Sequence, residues 1–289
     1  MRFLVIGNLT KDVIRTKKEE RIDFGGASTY CSITAKKLGC ESHILTRGNH
    51  ELDSWIKNLE SLGIKIELQE SENLTCFVND YMLGERKQFV YRDAGKIDFK
   101  DFGKVDVTHL GPVFNEVTSE CVKEARKNSK IVSLDVQGFV RSLKDKKVIK
   151  KFWDEREDFL KYVDLVKISG YEIDLVSNKK NYKDVFDELR DFGVKVVELT
   201  LGHKGSIVAS EEIHRIPAYK TTLIDKTGSG DVFAAAFAIR YFESKNALES
   251  GLFASAAASF VVEDFGAKNI VNRERVEERF KELKRNLKV

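Results

Sequence analysis

The sequence predicts an α/β chain with a three-layer α/β/α core, in which a mostly parallel sheet lies between helices and a small β flap stands off one edge. Three observations carry this prediction. From the N-terminus to Leu199, short apolar, β-branched runs alternate with amphipathic stretches. Such alternation implies βαβ crossovers and a buried parallel sheet. Two segments, 11–23 and 74–92, break the alternation and carry charge throughout, which suits a flap better than a buried sheet. From Gly228 to the end the pattern is almost wholly helical.

Taken in order, the buried strands are Phe3–Ile6, Ser42–Leu45, Val105–His109, Ile131–Asp135, Leu165–Ile168 and Val194–Leu199, each a short apolar run bounded by polar or turn residues. Between them, apolar residues at helical spacing predict helices near 27–38, 52–62, 117–127, 171–177 and 183–191. In the second odd segment, apolar residues flank Leu83–Gly84–Glu85, a hairpin-type turn. An ordinary surface hairpin is the alternative to a flap there. With no internal repeat and no low-complexity linker, residues 1–289 read as one doubly wound domain, with the flap built from about 11–23 and 72–94.

Composition narrows the class. The 289 residues carry 49 Lys and Arg against 46 Asp and Glu, a net charge of +3 that is too small to predict nucleic-acid or membrane binding. An aromatic content of 10% and regular apolar runs exclude a disordered chain. The longest apolar run, Gly251–Val262, falls short of the ~20 residues of a membrane span. The opening MRFLVIGNLTKD lacks the long apolar region of a signal peptide. Cys31, Cys40, Cys76 and Cys121 form no CxxC pair, and the histidines lack metal-ligand spacing. A reduced, cytoplasmic chain without a structural metal is expected.

The chemistry concentrates in Asp225-Lys-Thr-Gly-Ser-Gly-Asp231, directly before the helical run VFAAAFAIRYF. A helix start exposes unpaired N–H groups at the positive end of the dipole, and Gly228, Ser229 and Gly230 let an anion approach them closely. Asp231 falls in the first turn. It reads either as a simple helix-terminal acid or as the proton acceptor for a hydroxyl attacking a bound phosphate. Two familiar phosphate sites are excluded: there is no GxxxxGK[ST], and the turn Gly7–Asp12 lacks GxGxxG. Thr200-Leu-Gly-His-Lys-Gly-Ser206 follows a strand, as ligand-binding turns of open α/β sheets do, and a tight turn into SIVAS is the plain alternative. In Lys167-Ile-Ser-Gly-Tyr-Glu172, Glu172 either favours a helix N-terminus or holds magnesium through water. Asp12, the Gly25–Gly26 pair, and Asp135, Gln137 and Arg141 of DVQGFVR complete the set. A polyhydroxylated ligand needs such mixed donors and acceptors.

With these residues assembled, the chain resembles the ribokinase-like, or PfkB, family of carbohydrate kinases over nearly its whole length. Gly25–Gly26 is similar to the family's first signature. Asp225–Asp231 is similar to the second, D-x-T-[GA]-[AS]-G-D, with Thr200–Gly205 upstream and Gly266–Ala267 downstream. The resemblance implies a ribokinase-like core with a β-sheet lid and transfer of the γ-phosphoryl of ATP with Mg2+. It implies Asp231 as base and the Gly228, Ser229 and Gly230 amides as anion hole. Thr200, Gly202, Gly205, Lys226 and Thr227 would lie at the nucleotide, Glu172 near the metal, and Asp12, Gly25 and Gly26 at substrate hydroxyls. Monovalent-cation activation, common in the family, would involve carbonyls around Asp225 and Thr227. Lys226 and Arg141 are candidates for extra positive charge near the transferred group.

Two positions depart from the family: Tyr30 and Ser169 stand where Asn is common. The first bears on ribose- or fructose-like recognition, the second on the metal contact. DVQGFVR is similar to the D-x-Q-G-F-[VI]-R segment of prokaryotic myo-inositol kinases, which implies a cyclic polyol acceptor contacted by Asp12, Gln137 and Arg141. The alternatives are a kinase for ribose, fructose or a nucleoside, whose base would need Phe77, Tyr81, Phe89 and Tyr91 as a wall, and a catalytically silent sugar-binding regulator. The expected partner is a small molecule, with no nucleic acid or membrane. An exposed lid edge would pair with that of a second copy to give a homodimer.

Overall fold

The computed structural model describes residues 1–84 and 86–287; Glu85, the third residue of the expected flap turn, lies outside them. In chain order the elements are β1 (Arg2–Ile6), β2 (Thr10–Arg15), β3 (Glu20–Gly25), α1 (Ala27–Lys37), β4 (Glu41–Gly48), α2 (Asp53–Ser61), β5 (Lys65–Glu70), β6 (Thr75–Asp80) and β7 (Lys87–Arg92). There follow β8 (Val105–Leu110), α3 (Ser119–Asn128), β9 (Ser129–Asp135), β10 (Arg141–Lys144), β11 (Lys147–Lys150), α4 (Arg156–Leu160), β12 (Leu165–Ser169), α5 (Ile173–Val176), α6 (Tyr182–Asp191) and β13 (Val196–Thr200). The chain closes with β14 (Ser206–Ala209), β15 (Ile213–Ile216), α7 (Ser229–Ser244), α8 (Ala247–Val261) and α9 (Arg273–Asn286).

Side-chain alternation along the central strands makes the layers. Phe3 and Val5 of β1 join Val107, Ile131 and Leu165 in one apolar core, covered by α1, α7, α8 and α9. Leu4 and Ile6 join Val132, Leu134 and Val166 in a second core, covered by α3, α4 and α6. Strands buried on both faces read as continuous apolar runs, which is why the sequence marked them. The large sheet runs β15-β14-β13-β12-β9-β8-β1-β4-β5, parallel from β13 to β5 and antiparallel at the β14 and β15 edge. All the parallel strands therefore end at one rim, and the segments after Asp135, Ser169 and Thr200 gather there.

The second sheet has six strands, β10-β11-β7-β6-β2-β3. Segments 11–23 and 74–92 supply four of them. The other two, β10 and β11, were not anticipated, because RSLK and KVIK carry charge rather than an apolar pattern. Asp145 and Lys146 join them with positive φ at both positions, the backbone of a two-residue hairpin turn. Edge strand β5 (KIELQE) escaped notice for the same reason. The helix expected over 171–177 shrinks to the single turn α5, whereas α1, α2, α3 and α6 form where the spacing placed them.

Candidate active site

The cradle at the start of α7 is built by one glycine that no other residue replaces. Gly228 caps the helix with φ +76°, and a Cβ there would lie 2.2 Å from two carbons of the Tyr30 ring. Among the described residues, the Gly230 and Asp231 amides have no hydrogen-bond partner. Ser229 differs from expectation: its N–H and its hydroxyl both donate to the Lys226 carbonyl, at 3.3 and 2.9 Å, so this amide is partly withdrawn from the cradle. The Cys31 thiol on α1 donates to the Asp231 carbonyl at 3.3 Å and ties the two helix starts together. Burial pushes the Asp231 carboxyl up to about 7; Asp135 adds to the rise, and Lys167 and Arg141 oppose it. A carboxylate of that affinity can take a proton near neutral pH.

Behind the cradle, charges stand inside apolar strands. Asp135, Lys167 and Glu198 are lateral neighbours on β9, β12 and β13. Lys167 Nζ donates to Asp135 Oδ2 at 2.9 Å, both side chains being buried. Desolvation works against the ammonium, but Asp135, Glu172 and Asp231 together hold its proton more tightly than usual. Asp135, read from the sequence as an acceptor for a ligand, is fully buried and engaged by Lys167 and by the Gln137 amide at 3.0 Å.

Of the residues expected at the substrate, Asp12, Gly25 and Arg141 belong to the second sheet. Asp12 lies on β2 opposite Asp23 of β3 and beside Phe77 of β6. Its Oδ1 is buried without a hydrogen-bond partner. Burial raises its proton affinity to about 6; Asp23 adds to the rise, while Thr10, Arg141 and Arg86 oppose it. A Cβ on Gly25 would come within 3.2 Å of Asp12 Oδ2, and Gly26 turns into α1 at φ +87° with a would-be Cβ 2.5 Å from the Asn8 carbonyl. Arg141 donates to the Val113 carbonyl at 2.8 Å and to Gln137 Oε1 at 2.9 Å, and lies over the Phe77 ring at 5.9 Å. The Val113 turn is in turn held by buried Glu116, which accepts from the amides of Asn8, Val113 and Phe114 at 2.7–3.0 Å. Tyr30 closes the floor between α1 and the cradle. Burial, then Asp231, Asp23, Asp225 and Asp12, keep its phenol protonated.

The residues expected at the nucleotide lie on two segments, the turn after β13 and the loop before α7. Thr200 ends β13, and the turn Gly202–Lys204 follows it, with Gly205 at φ +85°. A Cβ on Gly205 would lie 2.0 Å from the Ile216 carbonyl, so only glycine permits this approach of turn and β15. An open pocket of about 370 Å3 adjoins the turn, lined by Leu201, Lys204, Ile207, Ile216, Pro217 and Leu287. Lys226 and Thr227 are exposed; Thr227 donates through its amide and hydroxyl to Asp225 Oδ1 at 2.9 and 2.7 Å. Lys226 makes no ion pair with any described residue, and the Lys167 ammonium lies against the Gly230 backbone. Glu172 Oε2 accepts from the Ser169 amide at 2.8 Å, which leaves one oxygen uncommitted. That donor set suits Mg2+, which keeps most of its waters and takes few protein carboxylates. Among the described residues no group of acidic, His or Cys side chains forms a cage for a dehydrated metal.

Sequence reading missed Lys167, Glu198 and Glu116 as parts of the site. A signal existed for the first two: a charge in the middle of a buried run (LVKIS, VVELT) needs a reason, because unpaired burial is costly. Nothing local marks Glu116, whose partners come from far along the chain.

Unpaired amides at a helix start, a carboxylate that ionises near neutrality and polar side chains gathered nearby are the parts of a phosphotransferase acting on an alcohol. The model of the pfkB family carbohydrate kinases matches residues 4–274, and the chain belongs to that family. It is similar to the nucleoside kinase of Methanothermobacter thermautotrophicus, 28% identical over 259 residues, 84% of this chain and 79% of the relative. A solved pyrophosphate-dependent kinase of the ribokinase family, complexed with a pyrophosphate analog and myo-inositol, superposes with a TM-score of 0.84 at 26% identity, covering 96% of this chain and 99% of that one. The ribokinase of Thermotoga maritima gives a TM-score of 0.79 at 24% identity over 97% of this chain and 99% of its own, a likeness of fold. The ribokinase-like architecture and the identity as a kinase of alcohols are thereby established, and a silent regulator is set aside. Among the described residues no helix is long and apolar enough to cross a membrane, and all four cysteines are free and buried.

Proposed function

We propose that this kinase phosphorylates a cyclic polyol, myo-inositol, to give an inositol monophosphate, with ATP as donor. The observation that carries the reading is the buried Oδ1 of Asp12, without a hydrogen-bond partner, beside Phe77, whose ring lies under the Arg141 guanidinium that Gln137 holds. A buried acceptor without a donor costs about 1–3 kcal/mol, which a ligand hydroxyl relieves. A ring with hydroxyls all round offers donors to Asp12 on one side and acceptors to Arg141 on the other. The likeness to a kinase solved with myo-inositol supports the same acceptor.

In this reading Asp12, Gly25, Gly26, Gln137 and Arg141 orient the acceptor. Asp231 takes the proton from the attacking hydroxyl, and the free amides of Gly230 and Asp231 receive the transferred charge. Gly228 sets the helix start and Ser229 ties it to Lys226. Thr200, Gly202, Gly205, Lys226 and Thr227 form the donor side, where the pocket beside the Gly202–Lys204 turn, with apolar walls and the cations Lys204 and Arg215, suits a nucleoside-bearing donor. Glu172 would hold Mg2+, which would supply charge neutralisation to the donor phosphates. A monovalent cation belongs at the carbonyls around Asp225 and Thr227. The small sheet acts as a lid that excludes water, and its unpaired edge β3, where Ile22 is 60% exposed, is the face a second copy would cover.

Pyrophosphate as donor is the second reading, favoured by the donor named for the similar solved kinase. The test is turnover with ATP or pyrophosphate, Mg2+ present, against myo-inositol, ribose, fructose, cytidine and adenosine. Turnover on myo-inositol with ATP is the expected result. Turnover with pyrophosphate alone would replace the donor, and preference for a nucleoside or sugar would refute the polyol.

A further inference from the structure

Lys167 is the buried charge that the roles above leave unused. Its ammonium carries three hydrogens, and among the described residues only Asp135 Oδ2 accepts one, at 2.9 Å. The other two are unsatisfied in the interior, where such a group is costly. Their direction follows from the neighbours: a Cβ on Gly230 would lie 3.1 Å from Lys167 Nζ, so the ammonium sits directly against the backbone of the cradle. On its other flank is Glu198, one strand away in register, fully buried and with both carboxyl oxygens unpartnered. Burial raises the proton affinity of Glu198 well above that of a free carboxyl, with Lys167 opposing the rise. His109, below on β8 and bonded to Ser133 at 3.0 Å, is kept neutral by burial and by Lys167.

We propose that Lys167 is a catalytic residue of this kinase: anchored by Asp135 and left free on its Glu198 side, it directs its two remaining hydrogens past Gly230 onto the transferred phosphoryl group. Lys167 thus supplies the positive charge for which the exposed Lys226 was a candidate. The inference rests on the kinase reading and deepens it. No bond to Lys167 forms or breaks; the ammonium binds the phosphoryl oxygens during transfer and stays charged.

The test uses Lys167→Met in the full chain, with Asp135→Asn/Lys167→Met as a second variant that leaves no lone buried charge. Inorganic pyrophosphate binding by calorimetry reads the ammonium without requiring turnover, and steady-state kinetics follow. The expected result is a loss of about tenfold or more in pyrophosphate affinity and about a hundredfold or more in kcat, with acceptor KM little changed. Unaltered pyrophosphate affinity in a folded variant overturns the proposal. So does failure of both variants to fold, which would make the row a folding element. A wild-type chain that turns over none of the acceptors defeats the polyol reading separately, while the calorimetric comparison still decides the role of Lys167.

Discussion

Replacing Gly228 by Ala should injure this protein twice at one atom. The residue caps α7 at φ +76°, and a left-handed backbone costs a non-glycine residue roughly 1–2 kcal/mol. The new methyl would also sit 2.2 Å from two Tyr30 ring carbons, and overpacking of this kind costs about 1–3 kcal/mol. The sum, about 2–5 kcal/mol, corresponds to a melting temperature lower by roughly 5–15 °C for a chain of this size. A double-mutant cycle with Tyr30→Ala separates the two causes. Without the ring, only the backbone cost of about 1–2 kcal/mol remains, so the coupling should be about 1–3 kcal/mol. Denaturant melts of the four proteins provide the assay. If Gly228→Ala melts within about a degree of wild type, or its cost is the same with and without the ring, the packing argument at the cradle is wrong.

Three further outcomes follow from the site. Asp231→Asn should lower kcat by about 10²–10⁴-fold and abolish the rise of kcat/KM as pH passes through about 7, where the buried carboxyl ionises. The folded protein holds that proton while the unfolded chain loses it near 3.8, so wild type loses stability as pH climbs from about 4 to 7. Asp231→Asn should therefore gain in relative thermal stability across that window and keep the gain above it; a pH-independent difference would contradict the assignment. Arg141→Met should raise acceptor KM about tenfold or more with donor KM unchanged, since a charge-assisted contact is lost on one side of the cleft only; inhibition kinetics with both substrates decide this. Glu116→Ala should leave two buried amides unsatisfied, at about 1–3 kcal/mol each, together with the half-buried Phe114 amide, and loosen the Val113 carbonyl that holds Arg141. A lower melting temperature together with a raised acceptor KM is expected, and stability loss without the kinetic change would separate the clamp from the site.

How much was legible from residues alone differs between the two sheets. The central strands announced themselves because burial on both faces demands unbroken apolar runs such as FLVI and LVKI. The cradle was legible because a glycine-bearing turn before a small-residue helix is a local motif, and the acid in its first turn is local too. Strands β10 and β11 were not, since a lid strand with little burial needs no apolar period and depends on distant β7 for its pairing. Nor was the pairing of Asp135, whose partner lies 32 residues on.

The local order of the chain therefore settled the layers, the rim where the parallel strands end, and the anion cradle with its aspartate, because each depends on residues near one another. What required the folded molecule was the company these residues keep. Tyr30 against Gly228, Lys167 beneath Gly230, Glu116 across Asn8 and Val113, and the raised proton affinities of Asp12 and Asp231 all arise from segments brought together across the fold. Burial and fields from distant charges have no period and no motif, so they exist only once the sheets and helices have closed around them.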